Sequence, residues 1–292
     1  GDELIVGVIS KKIISNKSYN SDKSRIETLK SINFIDKVIS INSSLEKTIL
    51  KIKPNIVVKG KEHENTLNIA TSANMQFAMS EIVSEFKKDN DIKVELIITS
   101  SGKLTSQIEQ GAPFDVFVAA NTKYPAYLDS LGLTTSAPKV YAHGKLGLWT
   151  LKEFSPTLAL LTTDTIQKIA IANPKNAPYG KASIDVLKHY RIYEQVKHKL
   201  VFGESISQVN QFITTGSVDI GFTAYSIVSN TKMKTIGKWT SINLNDHGEI
   251  LQAAVILKES TNPEKAKVFY NFLFSERARE ILNKYGYLTP EE

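Results

Sequence analysis

The residues of this chain best suited to chemistry are uncharged: small polar side chains that fall where an extended apolar run gives way to a helical one. Four such exits stand out, Ala70-Thr71-Ser72-Ala73-Asn74, Thr99-Ser100-Ser101-Gly102, Ala172-Asn173-Pro174-Lys175-Asn176-Ala177-Pro178-Tyr179-Gly180 and Gly203-Glu204-Ser205-Ile206-Ser207. The first-turn N–H groups of a helix have no intrahelical acceptor and the helix dipole is positive there, so an anion can be held without a charged side chain. Ser, Asn and Tyr add side-chain donors to those amides. If the four exits converge, they surround one dianion with neutral donors. Such a cage suits a fully ionised oxyanion, because a protonated phosphate brings an O–H that needs an acceptor inside the cage. Sulfate-like and molybdate-like anions are therefore expected over phosphate. Each exit taken alone also reads as an ordinary N-cap, and Tyr179 also reads as a half-buried aromatic in a Pro-Tyr-Gly turn. Ile206 offers only its backbone amide, its side chain being explained by packing.

Positioning those exits requires an α/β framework. A strand over 67–70 precedes a helix whose apolar residues Met75, Met79, Ile82, Val83 and Phe86 share one face, the spacing of a helix packed on a sheet. A strand over 94–98, a helix over 102–110 and a strand over 115–118 follow. A second strand series opens at 145–149 and includes 169–172 and 219–222, and a strand over 253–257 leads into two amphipathic helices that either complete the first lobe or cap the second. Two α/β lobes are expected. Ahead of them, strands over 4–9, 37–41 and 56–58 alternate with helices over 24–32 and 45–52, a small βαβαβ, Rossmann-like segment with a limited core of its own. The polar run 59–66 marks the boundary.

Composition removes several classes of function. The 292 residues carry a net charge of +6 from scattered lysines, the pattern of a solvated surface and not of a nucleic-acid footprint. No cysteine is present, which rules out thiolate catalysis and Cys-ligated zinc or iron–sulfur centres within the chain. The five histidines, at 63, 143, 189, 198 and 247, have neither metal-ligand spacing nor a His-x-Gly-His arrangement, and neither a Walker loop nor a nucleophile elbow occurs. No apolar run reaches bilayer length, and the first residues lack the order of a secretory signal. The opening Gly1 carries the expectation of a processed or truncated chain.

From 67 to 292 the chain resembles the periplasmic molybdate-binding proteins of ABC importers, which belong to the type II periplasmic binding proteins. The stretches that carry the likeness are Ser100-Ser101-Gly102 with Gln107-Ile108-Glu109, Gly111-Ala112-Pro113-Phe114-Asp115-Val116-Phe117, Ile171-Ala172-Asn173-Pro174, Ala177-Pro178-Tyr179-Gly180, Ile206-Ser207-Gln208 with Gln211-Phe212, Gly221-Phe222 and Lys284-Tyr285-Gly286-Tyr287. The resemblance implies a two-lobed α/β fold with the ligand cleft between the lobes, one lobe from 67–143 plus 252–292 and the other from 145–250, closing about crossings near Gly144 and Leu251. It implies no enzymatic activity and no cofactor, a molybdate or tungstate ligand held as an oxyanion, a membrane permease as partner, a monomeric state, and a periplasmic or lipid-anchored extracytoplasmic location. Its ligand contacts map onto Ser72, Asn74, Ser101, Tyr179 and the amide of Ile206, with the assignment among Ser72, Ala73 and Asn74 open by one residue. Some family members place a tyrosine where Ala224 stands; the resemblance implies that this chain is similar to the subgroup that supplies its tyrosine, here Tyr179, from the Pro-Tyr-Gly turn.

Residues 1–65 resemble the later part of a cytidylyltransferase-like nucleotidyltransferase domain, through Gly1-Asp2-Glu3-Leu4-Ile5-Val6-Gly7-Val8, Arg25 and Ile52-Lys53-Pro54-Asn55-Ile56-Val57-Val58-Lys59-Gly60. That family cradles nucleotide phosphates with a His-x-Gly-His segment that this chain does not supply. The segment is therefore read as catalytically silent, a fusion remnant or an artefact. A nucleotidyltransferase, or a receptor for sulfate or another tetrahedral anion, is the alternative to the molybdate reading.

Overall fold

The computed structural model describes residues 5–9, 37–41, 66–229 and 235–290, and the chain divides into two compact units, Gly1–Glu62 and His63–Glu292. In the first unit, strands β1 (Ile5–Ile9) and β2 (Lys37–Ile41) pair in parallel, Gly7 facing Ile39. A parallel pair needs a crossover between its strands. The helices expected over 24–32 and 45–52 and the strand over 56–58 lie outside the described residues.

The second unit contains two five-stranded sheets, each with helices against it. The first holds β3 (Thr66–Ser72), β4 (Lys93–Thr99), β5 (Val116–Val118), β6 (Lys139–Gly144) and β12 (Ile250–Ile256), in the order β4-β3-β5-β12-β6. The second holds β7 (Leu146–Thr150), β8 (Ile169–Ala172), β9 (Leu200–Gly203), β10 (Ile220–Ala224) and β11 (Lys238–Ser241), in the order β11-β7-β10-β8-β9. In both sheets three parallel strands are joined to an antiparallel pair. The chain leaves the first sheet after Gly144 and returns to it at Ile250. Only β12 of that return is new to the first sheet, and it enters between β5 and β6.

The helices follow from the apolar spacing. Helix α1 (Gln76–Phe86) buries Met79, Ile82, Val83 and Phe86, each such side chain contributing roughly 1.5–3 kcal/mol by leaving water. Helices α2 (Ser101–Glu109) and α3 (Lys123–Ser130) flank the first sheet; α4 (Pro178–His189), α5 (Tyr193–Val196), α6 (Ile206–Thr214) and α7 (Tyr225–Val228) belong to the second. The last two, α8 (Pro263–Leu273) and α9 (Glu276–Lys284), complete the first half and do not cap the second. Their Phe269, Leu273, Ile281 and Leu282 share one core with Leu67, Ile69, Met79 and Phe86. Arg277 of α9 pairs with Glu85 (2.6 Å) and with Asp89, and Lys284 pairs with Glu81 (2.7 Å), fastening α9 along α1.

Candidate oxyanion site

The four helix beginnings selected from the sequence meet. A small cavity is lined by Ser72, Asn74, Ser101, Tyr179 and Ile206, joined by Ala73, Ser100, Ala120, Ala177 and Pro178. Charged side chains are absent from this lining. Ser72 ends β3 in extended backbone (φ −68°, ψ 146°) ahead of a short 3₁₀ turn, Ala73–Met75, that leads into α1. Ser100 stands before α2, Ala177 before α4 and Ser205 before α6, all three extended. At each point an extended residue hands the chain to a helix, so the first N–H groups face outward from the helix end. The amides of Ser101, Tyr179 and Ile206 find no backbone acceptor among the described residues.

The ordinary-cap reading can be tested serine by serine. Ser205 is an N-cap: its hydroxyl accepts from the Gln208 N–H at 3.5 Å. Ser72 and Ser100 cap nothing, and their hydroxyls are buried without a hydrogen-bond partner. The Tyr141 hydroxyl lies near Ser72 but outside hydrogen-bond geometry with it, and its own proton is directed at the carbonyl of Ala119 (3.1 Å) or at Gln252 Oε1 (2.8 Å). An unmet buried hydroxyl costs about 1–3 kcal/mol, so two of them at one cavity mark a place arranged for something other than stability. Ser101 Oγ accepts from the Ala120 N–H at 2.9 Å, which leaves its own proton for the cavity.

Asn74 and Tyr179 depart from the expected cage. Asn74 Nδ2 is engaged below the cavity, donating to Gln252 Oε1 and to the Tyr287 hydroxyl, each at 2.9 Å. Asn74 Oδ1 is buried and unpartnered, so the wall contains an acceptor as well as donors. Exchanging the amide ends would set Oδ1 against Gln252 Oε1, two acceptors face to face. Tyr179 is fully buried, not half-buried, and its hydroxyl accepts from Gln252 Nε2 at 3.1 Å and from Asn74 Nδ2 at 3.5 Å. What both residues bring to the cavity is chiefly their place at a helix beginning. Burial holds the hydroxyls of Tyr141, Tyr179 and Tyr287 above the usual tyrosine range, so all three stay neutral.

Sequence reasoning did not select Gln252, Tyr141, Tyr287 or Ser226, which form the layer beneath. Ser226 donates to the Asn74 carbonyl at 3.0 Å, and Tyr287 contacts both Ser226 (3.0 Å) and that carbonyl (2.9 Å). Ser226 belongs to α7 of the second half, so the layer bridges the halves. Other bridges are the Gly102 N–H to Asn176 O (2.9 Å), Tyr124 to Lys175 O (3.2 Å) and the exposed Lys103–Glu204 pair (2.7 Å). The two halves are closed on each other. Among the described residues no group of three or more His, Asp or Glu could hold a bare metal ion, and no helix is long and apolar enough to cross a membrane.

Two sheets linked by two crossings, with helix beginnings from both at a shared cavity, define a solute receptor of the bilobal kind. The chain belongs to the bacterial extracellular solute-binding protein family, whose description matches residues 67–288. It is 37% identical to the molybdate-binding protein ModA of Azotobacter vinelandii over 76% of this chain and 89% of that one. The solved Azotobacter vinelandii periplasmic molybdate-binding protein superposes with a TM-score of 0.72 at 30% identity, covering 77% of this chain and all of that one. The substrate-binding domain of a molybdenum ABC transporter from Clostridium difficile superposes with a TM-score of 0.57 at 32% identity, over 77% and 99% of the two chains.

Proposed function

We propose that the chain is a non-enzymatic receptor for molybdate or tungstate, the substrate-binding component of an ABC importer, working outside the cytoplasm as a monomer that delivers its anion to a membrane permease and needs no cofactor. The observation that carries this reading is the cavity wall: buried, unpartnered Ser72 and Ser100 hydroxyls beside free first-turn amides of Ser101, Tyr179 and Ile206. Neutral, preorganised donors balance a dianion without a counter-charge, so the anion can be released again to a partner. The relatives named as molybdate-binding supply the metal oxyanion within that class. Contacts are assigned to Ser72, Asn74, Ser101, Tyr179 and the Ile206 amide, with the Ser100 hydroxyl added. Since Asn74 Oδ1 is an acceptor at the wall, exclusion of a protonated anion is weaker than donors alone would give.

Titration calorimetry with molybdate, tungstate, sulfate and phosphate tests the reading. Tight binding of the first two, with weak sulfate and phosphate binding, is expected; heat from none of the four overturns it.

A further inference from the structure

Gln252 sits outside the cavity lining yet touches the groups that shape it. It is fully buried on β12, immediately after the chain has returned to the first half. Its Oε1 accepts from Tyr141 (2.8 Å) and Asn74 (2.9 Å) of its own half, and its Nε2 donates to the hydroxyl of Tyr179 (3.1 Å), which is carried by α4 of the other half. The hydroxyl of Tyr179 bonds only to Gln252 and Asn74 among the described residues, both across the divide. The outgoing crossing presses on the same bond: a Cβ on Gly144 would lie 2.2 Å from the Tyr179 hydroxyl and 2.4 Å from Gln252 Nε2. The contact is therefore clamped between the outgoing and the returning strand, where relative motion of the halves is smallest and orientation is set.

We propose that Gln252 is a positioning residue for the oxyanion: by holding the Tyr179 hydroxyl it seats the start of α4 against Asn74, so that the donors of both halves converge on one ligand. This rests on the oxyanion reading above. The bond holds α4 in the closed arrangement, so its loss acts on departure of the ligand from that state more than on encounter.

Stopped-flow binding of molybdate to the purified protein, following intrinsic fluorescence, tests this with Gln252→Met, Tyr179→Phe and the double variant. Tyr179→Phe keeps the backbone amide at the cavity and removes only the hydroxyl. Each single variant is expected to release molybdate at least tenfold faster with association within threefold of wild type. The double variant should lose no more than threefold beyond Tyr179→Phe, because both substitutions remove one interaction. Release within threefold of wild type in either single variant, or losses that multiply in the double one, overturns the proposal. Should Gln252→Met not fold, Tyr179→Phe must show the rate split by itself. If wild type binds none of molybdate, tungstate or sulfate, the oxyanion reading falls and this proposal with it; binding by wild type with unaffected variants removes this proposal alone.

Discussion

Serine hydroxyls at Ser72 and Ser100 are the most informative atoms in the molecule, because each is buried and unmet. A residue kept for packing improves stability, whereas one kept for a ligand can lower it. Replacing Ser72 or Ser100 by alanine is therefore expected to leave the thermal midpoint of the anion-free protein unchanged or raised, while weakening oxyanion binding by about 1–3 kcal/mol per lost donor. Parallel thermal unfolding and calorimetry check this, and a fall in stability with unchanged affinity would assign both serines to structure. Four of the donor-bearing exits were legible in the sequence because a helix beginning demands small polar residues whatever its purpose. Gln252 was not. It stands just ahead of the strand expected over 253–257, and only the insertion of β12 between β5 and β6 buries it among Tyr141, Asn74 and Tyr179.

Strands divided mostly by their place in the sheet, the edge strand β4 being the exception through its apolar run over 94–98. Interior strands with continuous apolar runs, such as β3, β8 and β10, were readable to within a few residues. The three that were missed, β6, β9 and β11, are all edge strands. One face of an edge strand is wet and one ladder is unpaired, so lysines and exposed positions interrupt the apolar pattern; Phe202 in β9 is 50% exposed. The close approach of α4 to β8 rests on Gly180, where an added Cβ would lie 2.0 Å from the Ala172 carbonyl oxygen, a backbone atom with little room to yield. Gly180→Ala is expected to lower stability by about 1–3 kcal/mol by overpacking and to weaken anion binding, since the displaced element carries Tyr179 in its first turn and is capped by Ala177. Chemical denaturation together with calorimetry would show both losses; retention of both would mean that α4 has freedom to shift.

For the whole molecule, the buried phenols set a limit at alkaline pH. Their folded pKa values lie above the ordinary value near 10 that the unfolded chain shows. Below that value neither state is ionised and the three hydroxyls stabilise the fold fully. As pH rises past about 10, the unfolded chain sheds protons that the folded one retains, and stability declines by about 1.4 kcal/mol per pH unit for each phenol. Unfolding free energies measured from pH 8 to 11 should turn downward above about 10, with a slope shallower by one such increment in Tyr287→Phe. An unchanged slope in that variant would mean Tyr287 ionises freely in the folded state.

The insertion of β12 also bears on how the molecule comes into being. The second sheet is drawn from one continuous stretch, 146–241, whereas the first waits for β12 and for α8 and α9 from the far end of the chain. During synthesis the later-encoded half can therefore condense while the earlier-encoded one still has a vacant slot between β5 and β6. Those unfilled strand edges are the surface a nascent-chain chaperone would find until residue 256 and the closing helices emerge.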